Sequence, residues 1–341
     1  MKAAVLTAHY KIEMQDVPEP EPKDNEVKIK VVSSGICGSE VHAYKGTHPF
    51  RHPPSILGHE TAGDVVAVGC AVRRFKLGDR VTVEPQIVCG TCDYCRSGYT
   101  NLCLNKVVLG TQKWIGAYAE YFVAPEQVVY KIPDNVSYDE AVMIEPLAVG
   151  VHAVREANLQ LGSSALILGA GTIGLCTLAA ARAAGVMATV VTDAVDFNLG
   201  VARELGATAT VNVRQGDVKS VVDKLSGGKG LDTAFVTVGF SPVVNQGLGG
   251  VRKRGQVVVI ALFAGAFSVD DPFLIVGGER VMRGSQMYTG FDLQTAVDLI
   301  ATGQVNAKMF LTQRLPMSEA QHGFEIVDKK LEDCVKVILH W

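Results

Sequence analysis

The chain lacks most of what would turn it toward nucleic acid or membrane. Aromatic residues make up 7% of its 341 positions, and two are Trp. Its formal net charge is −3, with both signs spread along the chain, so there is no basic stripe with interleaved aromatics of the kind a nucleic-acid binder presents. The longest uncharged run covers 157–181, but Asn158, Gln160, Ser163 and Ser164 lie inside it with several glycines. That composition suits a strand, a turn and a helix better than a membrane span. No basic segment followed by an apolar stretch follows Met1, as a secretion signal would require. Internal repeats and low-complexity segments are absent too. Hydrophobic residues at 48% and charged residues at 20% fit a globular chain. Its length exceeds what one core usually serves, so two domains are expected. With eight cysteines and no export signal, free thiols in a reducing cytoplasm are expected, and neither nucleic acid nor membrane as a partner.

Half of those cysteines fall in one stretch, CGTCDYCRSGYTNLC. Cys89, Cys92, Cys95 and Cys103 are separated by two, two and seven residues. Each Cys-x-x-Cys sets two sulfurs across a tight turn, and four thiolates match tetrahedral zinc. An iron–sulfur cluster is the lesser alternative, and disulfides suit small secreted domains instead. Four thiolates close the coordination sphere, so this ion would tie down a loop with little core of its own. Any chemistry needs a second site.

Residues 1 to about 133 read mostly as strands joined by Gly- and Pro-rich loops. Cys37 falls in such a loop between Ile36 and Gly38, and Gly58-His59-Glu60 opens a strand. From Tyr138 the spacing turns helical through Glu145 and on to about residue 157. Strand-like and helix-like segments then alternate from Ala165 to about 262, as in a doubly wound parallel sheet. Two further helical stretches and a strand, CVKVILH, end the chain. The reading is an α/β protein: a β-rich domain over 1–150 carrying the 89–103 lobe, a parallel-sheet domain over 151–290, and a final segment over 291–341.

Gly169-Ala170-Gly171-Thr172-Ile173-Gly174 fits G-x-G-x-x-G. It follows the strand ALIL, opens a helix, and Asp193 stands 19 residues beyond Gly174 at the end of the next strand. Together these match a dinucleotide site, with pyrophosphate at the helix N-terminus and Asp193 accepting from a ribose hydroxyl. A phosphate on that ribose would meet Asp193 and Asp196 as like charges, so NAD is expected rather than NADP.

Cys37, Ser39, His42, His59, Glu60 and Glu145 are scattered, and spacing alone does not join them. Taken singly, each has an ordinary structural reading. In combination, Gly35-Ile36-Cys37-Gly38-Ser39, Gly58-His59-Glu60, the four-cysteine lobe, Glu145-Pro146-Leu147-Ala148-Val149 and GAGTIG occur in an order that resembles the zinc-dependent medium-chain alcohol dehydrogenases. The polyol branch, with sorbitol, 2,3-butanediol and threonine dehydrogenases, is the nearest in pattern. The resemblance implies a GroES-like catalytic domain completed by the C-terminal segment, plus a Rossmann domain. It implies two zinc ions per chain. One is catalytic, on Cys37, His59 and Glu60, with Glu145 binding it directly or through water; the other is structural, on the four cysteines. Ser39 and His42 become a proton relay. The implied activity is hydride transfer between NAD and a secondary alcohol of a polyol, diol or amino alcohol, by a homo-oligomer, either tetramer or dimer. A threonine-dehydrogenase-like enzyme is the alternative, and a non-catalytic nucleotide-binding protein a more distant one. Glu40 departs from the aspartate usual after Cys-Gly-Ser. Ala43 and Met287 replace an aromatic residue and an arginine found in sorbitol dehydrogenases, leaving the particular substrate open.

Overall fold

Apolar runs that do not alternate with polar residues belong to strands covered on both faces. SALIL is such a run, and in the computed structural model, which describes residues 1–263 and 265–341, Ala165 to Leu168 are completely buried. This strand, Ser164–Leu168, sits inside a six-stranded parallel sheet. The spatial order is Ala209–Asn212, Ala188–Asp193, Ser164–Leu168, Leu231–Val236, Val251–Val259 and Val281–Gly284. Leu166 lies beside Val190 on one side and Ala234 on the other. Of this sheet's strands, the first three in chain order run outward to one edge and the next three to the other. Their order reverses between Ser164–Leu168 and Leu231–Val236, which is where open α/β sheets bind ligands at the carboxyl ends of their strands. The helices Thr172–Ala183, Asp196–Glu204, Val218–Ser226 and Ser241–Gly250 supply crossovers.

The chain divides into two compact units, Met1–Glu145 with Thr289–Trp341, and Pro146–Tyr288. The first unit is built on Glu26–Gly35. Glu60–Val68 lies antiparallel along one side of it and Lys336–His340 along the other, so Gly35 is flanked by Glu60 and by Ile338. That register brings the start of one strand, the end of another and the last strand of the chain to one point, directly before Cys37.

Two local expectations need correction. Cys37 is not simply in a loop: it is the N-cap of the helix Gly38–Tyr44, and its N–H donates to Glu40 Oε2 at 3.1 Å. The helical stretch from Tyr138 is not continuous. It forms Tyr138–Val142, started by a Ser137–Glu140 capping box, and then Ile144–Glu156. Pro146 explains the break. It lacks the N–H that a helix interior needs but is tolerated in a first turn, so a new helix has to start just before it.

Candidate metal centres and nucleotide site

Around Cys37 the strand register does most of the assembly. Ligand atoms of Cys37, His59 and Glu60 lie within 4.8 Å of one another. His59 and Glu60 are buried and Cys37 is half-buried. Glu145 is also buried, in the first turn of Ile144–Glu156, but is not part of this group.

Each ligand has a support. Glu40 is fully buried and accepts from Gly58 N at 2.7 Å and His59 Nδ1 at 2.7 Å, and Tyr118 Oη stands 2.5 Å from its other oxygen. Burial would push this carboxyl up. The charge and hydrogen bond of His59, helped by Arg51, bring it down to about 2 instead. Burial likewise works against a charged His59, and Glu40 overrides it, raising the imidazole's proton affinity well above its ordinary value. With Nδ1 held by a carboxylate, Nε2 is the nitrogen left for a metal, an arrangement that fixes ring orientation and raises ligand basicity. Glu60 is held by Lys336. The Nζ lies 2.8 Å from Oε1 and 2.6 Å from Oε2, and donates also to Ile36 O at 3.1 Å. Gly35 makes room for this pair, since a Cβ there would stand 2.2 Å from Glu60 Oε2. A thiol, an imidazole and a carboxylate converging in a partly buried pocket fit a divalent ion with a position left open.

Ser39 and His42 share a face of the helix Gly38–Tyr44, three residues apart. Ser39 Oγ donates to Cys37 Sγ at 3.4 Å, and His42 Nδ1 lies 2.9 Å from Thr47 Oγ1.

The second group is Cys89, Cys92, Cys95 and Cys103, again within 4.8 Å of one another. Cys103 Sγ lies 3.6 Å from Cys89 Sγ and accepts from the N–H groups of Cys89 at 3.3 Å and Asn105 at 3.4 Å. Backbone N–H groups of Thr91 and Cys92 lower the Cys89 thiol to about 5, whereas burial pushes Cys95 up to about 12. Four sulfurs this close cannot all ionise unaided, and a divalent cation removes that conflict, so the donors fit zinc. All eight cysteines are free of disulfides.

In the second unit, Gly169 has φ +105° and a Cβ on Gly174 would stand 1.9 Å from Gly169 O, so both positions need glycine. A Cβ on Gly171, the N-cap of Thr172–Ala183, would meet nothing within 4 Å. That open space above the N-terminus of a twelve-residue helix fits a pyrophosphate, with Thr172 and Ile173 in the first turn. Asp193 Oδ2 accepts from Ala170 N at 2.7 Å and Oδ1 from Val195 N at 2.9 Å. The next helix is capped at Val195, so Asp193 anchors the glycine-rich turn and is not a helix cap.

Known proteins identify the family. Residues 23–134 match the alcohol dehydrogenase GroES-like domain and residues 172–302 the zinc-binding dehydrogenase domain. The sequence is 35% identical to sorbitol dehydrogenase of Bacillus subtilis, across 100% of this chain and 97% of that protein. With D-arabitol-phosphate dehydrogenase of Enterococcus avium it shares 38% identity over 92% of this chain and 89% of the other. The chain belongs to the zinc-binding alcohol dehydrogenase family. A solved family member, 2R,3R-butanediol dehydrogenase from Bacillus subtilis, superposes with a TM-score of 0.92 at 30% identity, over 100% of this chain and 99% of that one. As a member of the family, the chain is an alcohol dehydrogenase of the zinc-dependent type.

The sequence reading noted Glu40 only as a departure from the family pattern, without a role, and missed three supporting side chains: Tyr118, Lys336 and Arg51. Lys336 left a signal, being the one charge in the apolar run VKVILH, where a lysine with no partner would be costly.

Proposed function

We propose that this dehydrogenase oxidises the secondary alcohol of a polyol, vicinal diol or amino alcohol with NAD. The observation that carries the reading is the mixed thiolate, imidazole and carboxylate group at Cys37, His59 and Glu60, beside Ser39. Zinc held there would supply the Lewis acidity that lowers the pKa of a bound alcohol, and NAD would supply the hydride acceptor. Glu60, paired with Lys336, keeps the ligand field harder than thiolates alone would, which favours oxygen-rich substrates. Ser39 Oγ takes the alcohol proton as it releases its own, which would pass by way of the cofactor ribose to His42, on the same helix face, and on to solvent. Glu145 would bind the ion directly or through water. Gly171 and the helix start at Thr172 hold pyrophosphate, and the free lone pairs of Asp193 accept from the adenosine ribose. Cys89, Cys92, Cys95 and Cys103 hold a structural ion.

A homo-oligomer is part of the same reading. Val281–Gly284 is the outer strand of the parallel sheet, and Val281, Phe273 and Val276 on its approach are exposed. An uncovered apolar edge of this kind is a template for a second copy, and light scattering measures the outcome. Among the described residues, no helix is long and apolar enough to cross a membrane.

The test is a panel of sorbitol, 2,3-butanediol, threonine and ethanol with NAD and NADP. A vicinal diol, polyol or threonine is expected to give the highest kcat/KM. Ethanol ahead of all three would refute the substrate class.

A further inference from the structure

Among the described residues, Arg51 is a buried cation with no ion-pair partner. Its residue is 4% exposed, in the segment between Gly38–Tyr44 and Ser55–Ile56. Nη1 donates to Ser39 Oγ at 3.0 Å and Nη2 to Leu109 O at 3.0 Å, while Nε is buried with no hydrogen-bond partner. Among the described residues no carboxylate pairs with it, although its charge helps hold Glu40 down. Phe50 offers a cation–π contact at 5.9 Å, the far limit of such contacts. His48 adds no negative charge: burial and Arg51 lower it to about 4, and its Nδ1 accepts from the Arg51 backbone at 3.1 Å.

Burying a guanidinium this way is costly, so it is informative that its side-chain contact is Ser39. A guanidinium has donors and no acceptor. Ser39 Oγ must therefore accept from Arg51, and the hydroxyl's own proton is turned the other way, toward Cys37 Sγ at 3.4 Å. One lone pair of Ser39 is thus occupied and the rotation of the hydroxyl is restricted before any substrate arrives.

We propose that Arg51 is a positioning residue that fixes the direction of the Ser39 hydroxyl for taking the proton of the substrate alcohol. The proposal rests on Ser39 being the first member of the relay. It adds no step of its own: Ser39 Oγ accepts the alcohol proton on its remaining lone pair as its own proton turns from Cys37 Sγ and leaves toward His42, and Arg51 neither gains nor loses one.

Arg51→Met and Arg51→Lys test it, with zinc content and thermal midpoint measured on each. Misplacing a reacting group costs roughly a hundredfold, so Arg51→Met should lose about ten- to a hundredfold in kcat with KM for NAD unchanged. The solvent deuterium isotope effect on kcat should rise as proton removal becomes slower, and added guanidinium ion should restore part of the rate. Arg51→Lys, which keeps the charge and one donor, should fall between. If Arg51→Met does not fold, Arg51→Lys carries the test, with a smaller loss and the same rise in isotope effect. Unchanged kcat and isotope effect in a folded variant overturn the proposal. So does a loss confined to KM for alcohols bearing a phosphate or carboxylate, which would assign Arg51 to substrate binding. A wild-type protein that oxidises no alcohol defeats the reading of the site itself, and the Arg51 proposal with it.

Discussion

Removing the Lys336 ammonium should destabilise the metal-free protein far more than the zinc-loaded one. Lys336 is 2% exposed and Glu60 1%, and the ammonium lies within hydrogen-bond reach of both carboxylate oxygens. Glu60 is buried against Gly35, so bulk solvent does not replace the ammonium. Lys336→Met keeps the length and apolar stem of the side chain and removes the charge with its hydrogen bonds to Glu60 and Ile36 O. Breaking a buried pair from one side leaves an uncompensated charge and costs about 3–5 kcal/mol. Spread over a unit of this size, that lowers the thermal midpoint by about 6–20 °C. With zinc bound, the ion's charge balances Glu60 instead, and the loss should shrink to a fraction of that.

The assay is differential scanning fluorimetry of wild type and Lys336→Met, each with and without prior chelation. The companion is Lys336→Met with Glu60→Gln, in which neither charge remains. Replacing both partners is far less harmful than removing one, so the double variant should recover most of the midpoint in the chelated protein. A shift below about 2 °C in the chelated single variant would refute the reasoning. Equal losses with and without zinc would show that Glu60 does not exchange Lys336 for the ion.

Two further outcomes are expected. Cys92→Ser should lower zinc content from about two ions per chain to about one and reduce stability, while the remaining ion still supports turnover, as elemental analysis and a melt will show. Asp193→Ala should cost about 1–3 kcal/mol of stability because Ala170 N loses its acceptor; cofactor kinetics should also show a higher KM for NAD and a narrower gap to NADP, and a wild-type preference for NADP would defeat the reading.

Local patterns were legible in the sequence because they depend on neighbours along the chain. The four cysteines sit within one loop, and the glycine-rich turn, its helix and the strand before it are contiguous. The parallel sheet followed from strand and helix alternating. What could not be read depends on register. Glu60 and Lys336 are 276 residues apart and meet because Glu60–Val68 and Lys336–His340 flank the same strand. Looking downstream of Asp193 for a cation finds Arg203, whose Nε donates to Thr210 Oγ1 at 3.0 Å. The sheet instead pairs Asp193 with Asn212, which sets Arg214 two residues past that partner. Only the strand pairing reveals this.

Glu40 shows how a small departure from a family pattern is absorbed by the fold. Where aspartate is usual, this chain carries one more methylene, and the carboxylate uses that reach fully. Cys37 N, Gly58 N and His59 Nδ1 donate to it, and Tyr118 Oη lies against its second oxygen. Four partners match the lone-pair sites that two carboxylate oxygens offer, which is why the group can be fully buried and still ionised. The partners come from the start of one helix, the turn before one strand and a tyrosine far along the chain, so Glu40 ties the helix start to two segments that backbone hydrogen bonds already join to each other. A carboxylate drawn back by about 1.5 Å, one carbon–carbon bond, would have to give up some of them or pull the helix inward. The departure therefore leaves the metal ligands as they are and lengthens the strut behind them. At this position aspartate and glutamate are not interchangeable, even though aspartate is the residue the family pattern prefers.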